Sequence, residues 1–134
     1  AKDFVSILLL HYLIKQLRGL PVLRGEWVSF RELPGGESYY SAFYARAIEP
    51  LVRKYGTRPQ ALLEAGERAG AVELKQADAC LRLEPFNGVP VVVELWKSDS
   101  EFGGEANMLF DAGINLVFDT EDVAVLGGFI ARHL

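Results

Sequence analysis

Polar side chains interrupt the opening apolar run FVSILLLHYLI, residues 4–14, at only a few positions, and their spacing is helical. On a 100° wheel Ser6, Leu9, Leu10, Leu13 and Leu17 crowd one side. His11, Lys15 and Arg18 form a narrow strip opposite, flanked by Ile7 and Ile14. Asp3 is placed to cap this helix, and Gly19 followed by Pro21 to close it near Arg18. A helix apolar over so much of its circumference is expected to be largely covered by other elements.

The pattern then changes. In GEWVSFRELPGG, Val28 and Phe30 alternate with Trp27, Ser29 and Arg31, the period of a half-buried strand. Leu33-Pro34-Gly35-Gly36 has Pro at the second and Gly at the third position, the requirement of a type II turn. Ser38 is a candidate cap for a second helix with Tyr40, Phe43, Tyr44, Ala47 and Leu51 at 3-4 spacing. Pro50 should kink or split that helix by removing a backbone donor, and Gly56 should end it. Thr57-Arg58-Pro59-Gln60 has the form of a capping box opening a third helix that ends near Ala69 and Gly70. From residue 80 the period is that of strands. CLRLEPF and VPVVVELW flank Asn87-Gly88, whose readiness to take positive φ predicts a hairpin. Pro85 and Pro90 shorten the ladder beside the turn. The run Val91–Val93 reads as a central strand, ANMLFD as the strand that pairs back on it, and NLVF as a short apolar piece. Thr120 is the expected cap of a last helix that buries Val123, Leu126, Ile130 and Leu134. Gly127-Gly128 inside that helix, about 2 kcal/mol unfavourable against Ala-Ala, points to close backbone packing there.

These elements predict an α+β fold: a predominantly antiparallel sheet of three to five strands with helices packed against it. At 134 residues the chain has the size of one such domain, spanning 1–134. Half of its residues are hydrophobic and 11% are aromatic, enough for a real core. A net charge of −4, with Lys and Arg scattered, argues against a nucleic-acid partner. The run at 4–14 is shorter than the about 20 residues of a spanning helix and has no signal-peptide flanks, so no membrane partner is expected. A single cysteine, Cys80, excludes an intrachain disulfide framework and suits a reducing cytoplasm. The chain starts at Ala1 and is helical almost at once, so it reads as the C-terminal part of a longer protein.

GEWVSFRELPGG, the strand ending in LW with its acidic loop, MLFD and TEDVAVLG together resemble a bacterial and archaeal family known as domain of unknown function number 3786. The matching pieces span about residues 7 to 130. The resemblance implies further sequence upstream of the ILLLHYL helix, a family frequent in anaerobes, and some members joined to iron–sulfur cluster domains. Without cluster-binding cysteines, no cluster carries over to this chain, and the family supplies no catalytic residues. Gly103-Gly104 and Asn87-Gly88 stand where the resemblance leads one to expect Pro-containing links.

Candidate chemistry is sparse. Asp99, Glu101, Glu105 and Asp111 follow the LW strand end, but tested as a calcium loop the stretch from Asp99 fails at its third, fifth and twelfth positions, Glu101, Gly103 and Phe110. A solvated turn is the reading that fits it, and no metal-ligand set is identified. Glu94, inside VVVELW and on one strand face with Val92 and Trp96, is an acid/base candidate if covered; pairing with Arg31 or Arg82 is the structural alternative. His11 is a base or ligand candidate, with a solvent-edge histidine beside Lys15 and Arg18 as the plainer reading. Cys80 has no activating base and reads as a half-buried structural thiol. Trp27, Tyr40, Tyr44, Trp96 and Phe102 are the ligand-binding candidates, since Tyr and Trp line pockets and interfaces. The leading expectation is a non-catalytic module binding a small molecule, a cofactor of unknown identity or a protein partner. The rivals are a small acid/base or metal-assisted enzyme using Glu94 with Asp99, Glu101 or His11, and a structural subunit completed by an N-terminal segment or a second copy.

Overall fold

The computed structural model describes residues 2–17 and 23–134. Its centre is a five-stranded antiparallel sheet, so the α+β expectation holds. The strands are β1 (Trp27–Ser29), β2 (Val72–Glu73), β3 (Ala79–Phe86), β4 (Val89–Trp96) and β5 (Glu105–Asp111), in the spatial order β1-β5-β4-β3-β2. The hairpin is where the alternation placed it, with Phe86 opposite Val89 across Asn87-Gly88. Only Gly88 takes positive φ, +85°, so Asn87 does not share that role. The ladder slips between Leu83 and Phe86, a bulge at the segment that holds Pro85 and therefore lacks a donor.

Val91, Val93 and Leu95 of β4 point into the core with Leu81, Met108 and Phe110. Helices α2 (Gly36–Phe43), α3 (Glu49–Tyr55), α4 (Pro59–Arg68) and α5 (Thr120–His133) pack on that face. The opposite parity, Val92, Glu94 and Trp96 with Cys80, Asn107 and Leu109 beside them, forms the other face. A π-helical turn, Tyr44–Ile48, joins α2 to α3. The amide of Glu49 bonds back to Tyr44 O, and Pro50, with no N–H, comes next. The proline is thus accommodated by widening one turn, and the helical run continues without a break from Gly36 to Tyr55. Gly127 and Gly128 meet this segment closely, as the pair suggested: a Cβ on Gly127 would lie 2.8 Å from Phe43 Cε1, and one on Gly128 3.3 Å from Arg46 Cβ.

Several boundaries differ from the sequence reading. Helix α1 (Lys2–Leu17) already includes Asp3, which lies in its first turn and is not its cap; Gly19 and Pro21 lie outside the described residues. The strand expected through Phe30 stops at Ser29, because Glu32 accepts the Ser29 amide at 2.9 Å and turns Phe30–Glu32 into a 3-10 turn. Gly35 takes φ +73° with Gly36 N–H on Leu33 O at 2.8 Å, the predicted type II turn. That turn starts α2 at Gly36, ahead of Ser38. Arg58, not Thr57, precedes α4, and no side chain caps it. Asp119, not Thr120, caps α5. β2 was not foreseen.

The largest departure is α1. Leu8 is buried and Tyr12 stacks on Phe86 with ring centroids 5.0 Å apart, yet Ile7, Leu9, Leu10, Leu13 and Ile14 stay exposed. The helix is not largely covered: it docks through Leu8, His11 and Tyr12 and leaves its most apolar side open.

Candidate functional site

The docking of α1 creates a groove of about 280 Å³ against the start of α5, lined by His11, Ile14, Lys15, Asn115, Val117, Phe118, Asp119 and Asp122. Its polar wall is built by local chemistry at the α5 N-terminus. Asp119 accepts the Asp122 amide at 2.8 Å, and the Asp122 carboxylate turns back toward the Asp119 amide at 3.4 Å, a capping box made by two aspartates. Asp122 Oδ2 also lies 2.7 Å from His11 Nδ1. The carboxylate accepts, so Nδ1 carries the proton and Nε2 is left for other chemistry. The Asp122 carboxylate is mostly covered and His11 is partly open to water. Asn115 donates to Phe118 O at 3.1 Å, which holds the 3-10 turn Ile114–Leu116 as the groove's far wall. Ile14, Val117 and Phe118 supply an apolar floor, and no ion pair of Lys15 is present among the described residues.

The sequence marks His11 as a base or ligand candidate, with a solvent-edge histidine as the plainer reading, and gives no sign of its partner. Asp122 is 111 positions away, and the one local signal, Asp three residues after Asp119, marks a helix start and says nothing of α1.

The other acid/base candidates do not join this groove. Glu94 is on the far face of the sheet from α5, half-buried, and takes a hydrogen bond from Gln76 Nε2 at 3.0 Å. Neither Arg31 nor Arg82 pairs with it: Arg31 lies 3.7 Å over the Tyr40 ring and Arg82 sits 3.5 Å from Glu84. Cys80, opposite Glu94 across β3 and β4, is fully buried, deeper than its position suggested. Burial, then the Glu94 charge, push its thiol up to about 11, with the Gln76 hydrogen bond acting weakly the other way.

The loop after Trp96 is a solvated turn with defined fastenings. Asp99 Oδ1 accepts the amides of Phe102 at 2.6 Å and Glu101 at 2.8 Å, and those two bonds hold its carboxyl below the usual range. Ser98 binds Gly56 O through its amide at 2.8 Å and its hydroxyl at 3.1 Å. Gly104 lies close on the chain at Gly56, where a Cβ would sit 3.3 Å from Gly56 Cα. Glu101 and Glu105 face water. Asp111 does not: 6% exposed, it accepts the amides of Arg24 at 2.8 Å, Gly25 at 3.0 Å and Gly113 at 2.8 Å. It is a structural clamp that fastens the chain before β1 to the end of β5.

The aromatic candidates fall into separate groups. Trp27 pairs with Asp111 and Trp96 with Glu105, at opposite ends of β5 and so about 20 Å apart. Phe102 stands out from the acidic loop. Tyr40 on α2 and Tyr44 at the start of the π-helical turn approach each other, 6.1 Å between centroids, with Arg31 over Tyr40. A second cleft of about 200 Å³, lined by Leu83, Pro85, Phe129, Ile130, His133 and Leu134 among others, contains none of these residues. Among the described residues no three His, Cys, Asp or Glu side chains converge in a group that could hold a metal ion, and no helix is long and apolar enough to cross a membrane.

Residues 2–133 match the family described as Domain of unknown function (DUF3786), and the chain belongs to that family. No curated protein and no solved structure matches it.

Proposed function

We propose that this family member is a non-catalytic module that binds a small amphipathic molecule, anionic at one end, in the groove between α1 and the start of α5. The observation that carries this reading is the 2.7 Å contact between His11 Nδ1 and Asp122 Oδ2 in the wall of a groove with an apolar floor. Both acids of that wall are already engaged in the helix cap and with His11, which leaves the Lys15 ammonium and His11 Nε2 as the groups facing a ligand. A carboxylate or phosphate would take the Lys15 ammonium, and a hydroxyl of the ligand, such as that of a monoprotonated phosphate, would donate to His11 Nε2, with the apolar body of the molecule on Ile14, Val117 and Phe118. A reducing cytoplasm suits the buried thiol of Cys80.

The test is NMR titration of the protein with inorganic phosphate and with butyrate, following the ring resonances of His11. Binding predicts saturable shifts that Lys15→Met weakens at least about tenfold, with the fold unchanged. If neither ion moves the His11 signals in the wild-type protein, the groove is not an anion site and the proposal fails.

A second reading keeps the same pair as an acid/base device, favoured because Asp122 fixes the tautomer and frees Nε2 to move a proton. Glu94, Asp99 and Glu101 are not assembled with it, so His11 would act with Asp122 alone. The exposed Trp27, Trp96 and Phe102, with Tyr40 and Tyr44, are proposed as partner-contact positions on separate surfaces.

A further inference from the structure

We infer that the uncovered side of α1 is an interface between two copies of this chain, packed as an antiparallel helix pair. Ile7, Leu9, Leu10, Leu13 and Ile14 are 45%, 46%, 56%, 46% and 38% exposed, and they lie on one side of one helix with Ser6 among them. Together they leave on the order of 400 Å² of apolar side chain in water, in the range of patches that mark interaction sites. A standard interface takes about 800 Å² from each partner, a little over half of it apolar. The arc therefore supplies roughly the apolar part that each copy of a stable dimer must contribute.

The chemistry of the arc selects a second copy over other occupants. Its described side chains, Ser6 to Ile14, carry no charge, so a two-fold operation sets no like charges among them against each other. In an antiparallel pair centred on Leu10, Ser6 of one helix faces Leu13 or Ile14 of the other, a small residue opposite a large one, as interdigitated helices require. A membrane surface fits less well, because an interfacial helix turns a basic face to water, whereas the His11 and Lys15 side of α1 is turned onto its own domain. The inference does not depend on what the groove binds.

Sedimentation velocity from about 1 µM to 500 µM tests it, on the wild-type chain and on Leu10→Glu and Leu13→Glu. These positions are exposed in the single copy, so both variants should keep the circular dichroism and melting curve of a folded monomer. The expected result is a concentration-dependent wild-type dimer, weakened at least about 100-fold by either glutamate, since each puts like charges near the two-fold axis. A wild type that is monomeric throughout overturns the inference. So does a dimer that both variants preserve, or a monomer that binds phosphatidylglycerol vesicles through Leu10. Unfolding of both variants, with Leu10→Ser and Leu13→Ser folded and still dimeric, counts against it equally.

Discussion

Adjacent glycines in α5 should respond to alanine in opposite directions. In a helix interior Ala is favoured over Gly by about 1 kcal/mol, so propensity alone makes both Gly127→Ala and Gly128→Ala stabilising. Packing separates them. A Cβ at 127 would stand 2.8 Å from Phe43 Cε1, 3.1 Å from Ala47 Cβ and 3.4 Å from Met108 Sδ. Phe43 cannot give way, because it is fully buried, stacked on Phe30 at 4.2 Å and met edge-on by Phe110 at 6.1 Å. Overpacking of this kind costs about 1–3 kcal/mol, and a locked ring belongs at the upper end. The net effect at 127 is a loss of about 1–2 kcal/mol. At 128 the nearest atoms are Arg46 Cβ at 3.3 Å and Arg46 O at 3.7 Å, a contact that a shift of a few tenths of an ångström between the two helical segments relieves. Gly128→Ala should therefore be neutral or stabilising by up to about 1 kcal/mol. Urea denaturation of both variants measures the difference, expected at about 2 kcal/mol with unchanged m-values. Equal stabilities, or a stabilised Gly127→Ala, would refute the claim that α5 lies tight on the π-turn.

Two further outcomes follow from buried polar groups. Asp111→Ala should lower stability by about 3 kcal/mol through loss of three amide bonds to a carboxylate. Asp111→Asn, which keeps an oxygen for the Arg24 and Gly113 amides, should lose about half as much; hydrogen exchange at residues 24, 25 and 113 reads the clamp directly, and unchanged protection in the alanine variant would contradict it. Cys80, with its thiol raised from 9.0 to about 11, should resist iodoacetamide in the native protein at pH 8 and react at the rate of unfolding. Its contribution to stability is fully present below pH 9 and is lost as pH rises through about 11; rapid alkylation of the native chain would show the thiol to be accessible.

Most of the sheet was legible because its signals are local. Asn87-Gly88 between alternating runs, and Pro34-Gly35 at a turn that needs positive φ, each specify their geometry within four residues. The helix caps were less legible because several polar residues near each start compete, and tertiary contacts choose among them. Thr120 yields to Asp119 because Asp119 and Asp122 satisfy each other's amides. Ser38 yields because the turn at Gly35 has already set the helical direction. Glu94 was legible as an intruder in an apolar strand, but its partner Gln76 sits in an irregular segment that no periodicity describes.

The same distinction explains α1. A wheel shows that the helix is apolar over most of its circumference, and one supporting surface can cover only about half of a helix. Whichever way it turns, a set of apolar side chains stays in water unless a second surface meets it. The choice of side falls to specific contacts: Leu8 in the core, Tyr12 on Phe86, and His11 on Asp122. A partly exposed hydrogen bond contributes about 1 kcal/mol, enough to orient a helix and too little to offset what the other side leaves unburied. That remainder equals a little over two fully exposed Leu or Ile side chains, roughly 3–7 kcal/mol of transfer free energy in each copy. Two copies joined along α1 would recover up to roughly twice that, comparable to the about 4–15 kcal/mol that association costs. The balance favours a weak, concentration-dependent dimer over an obligate one, with His11 fixing which side of α1 faces the domain and which is left for the partner.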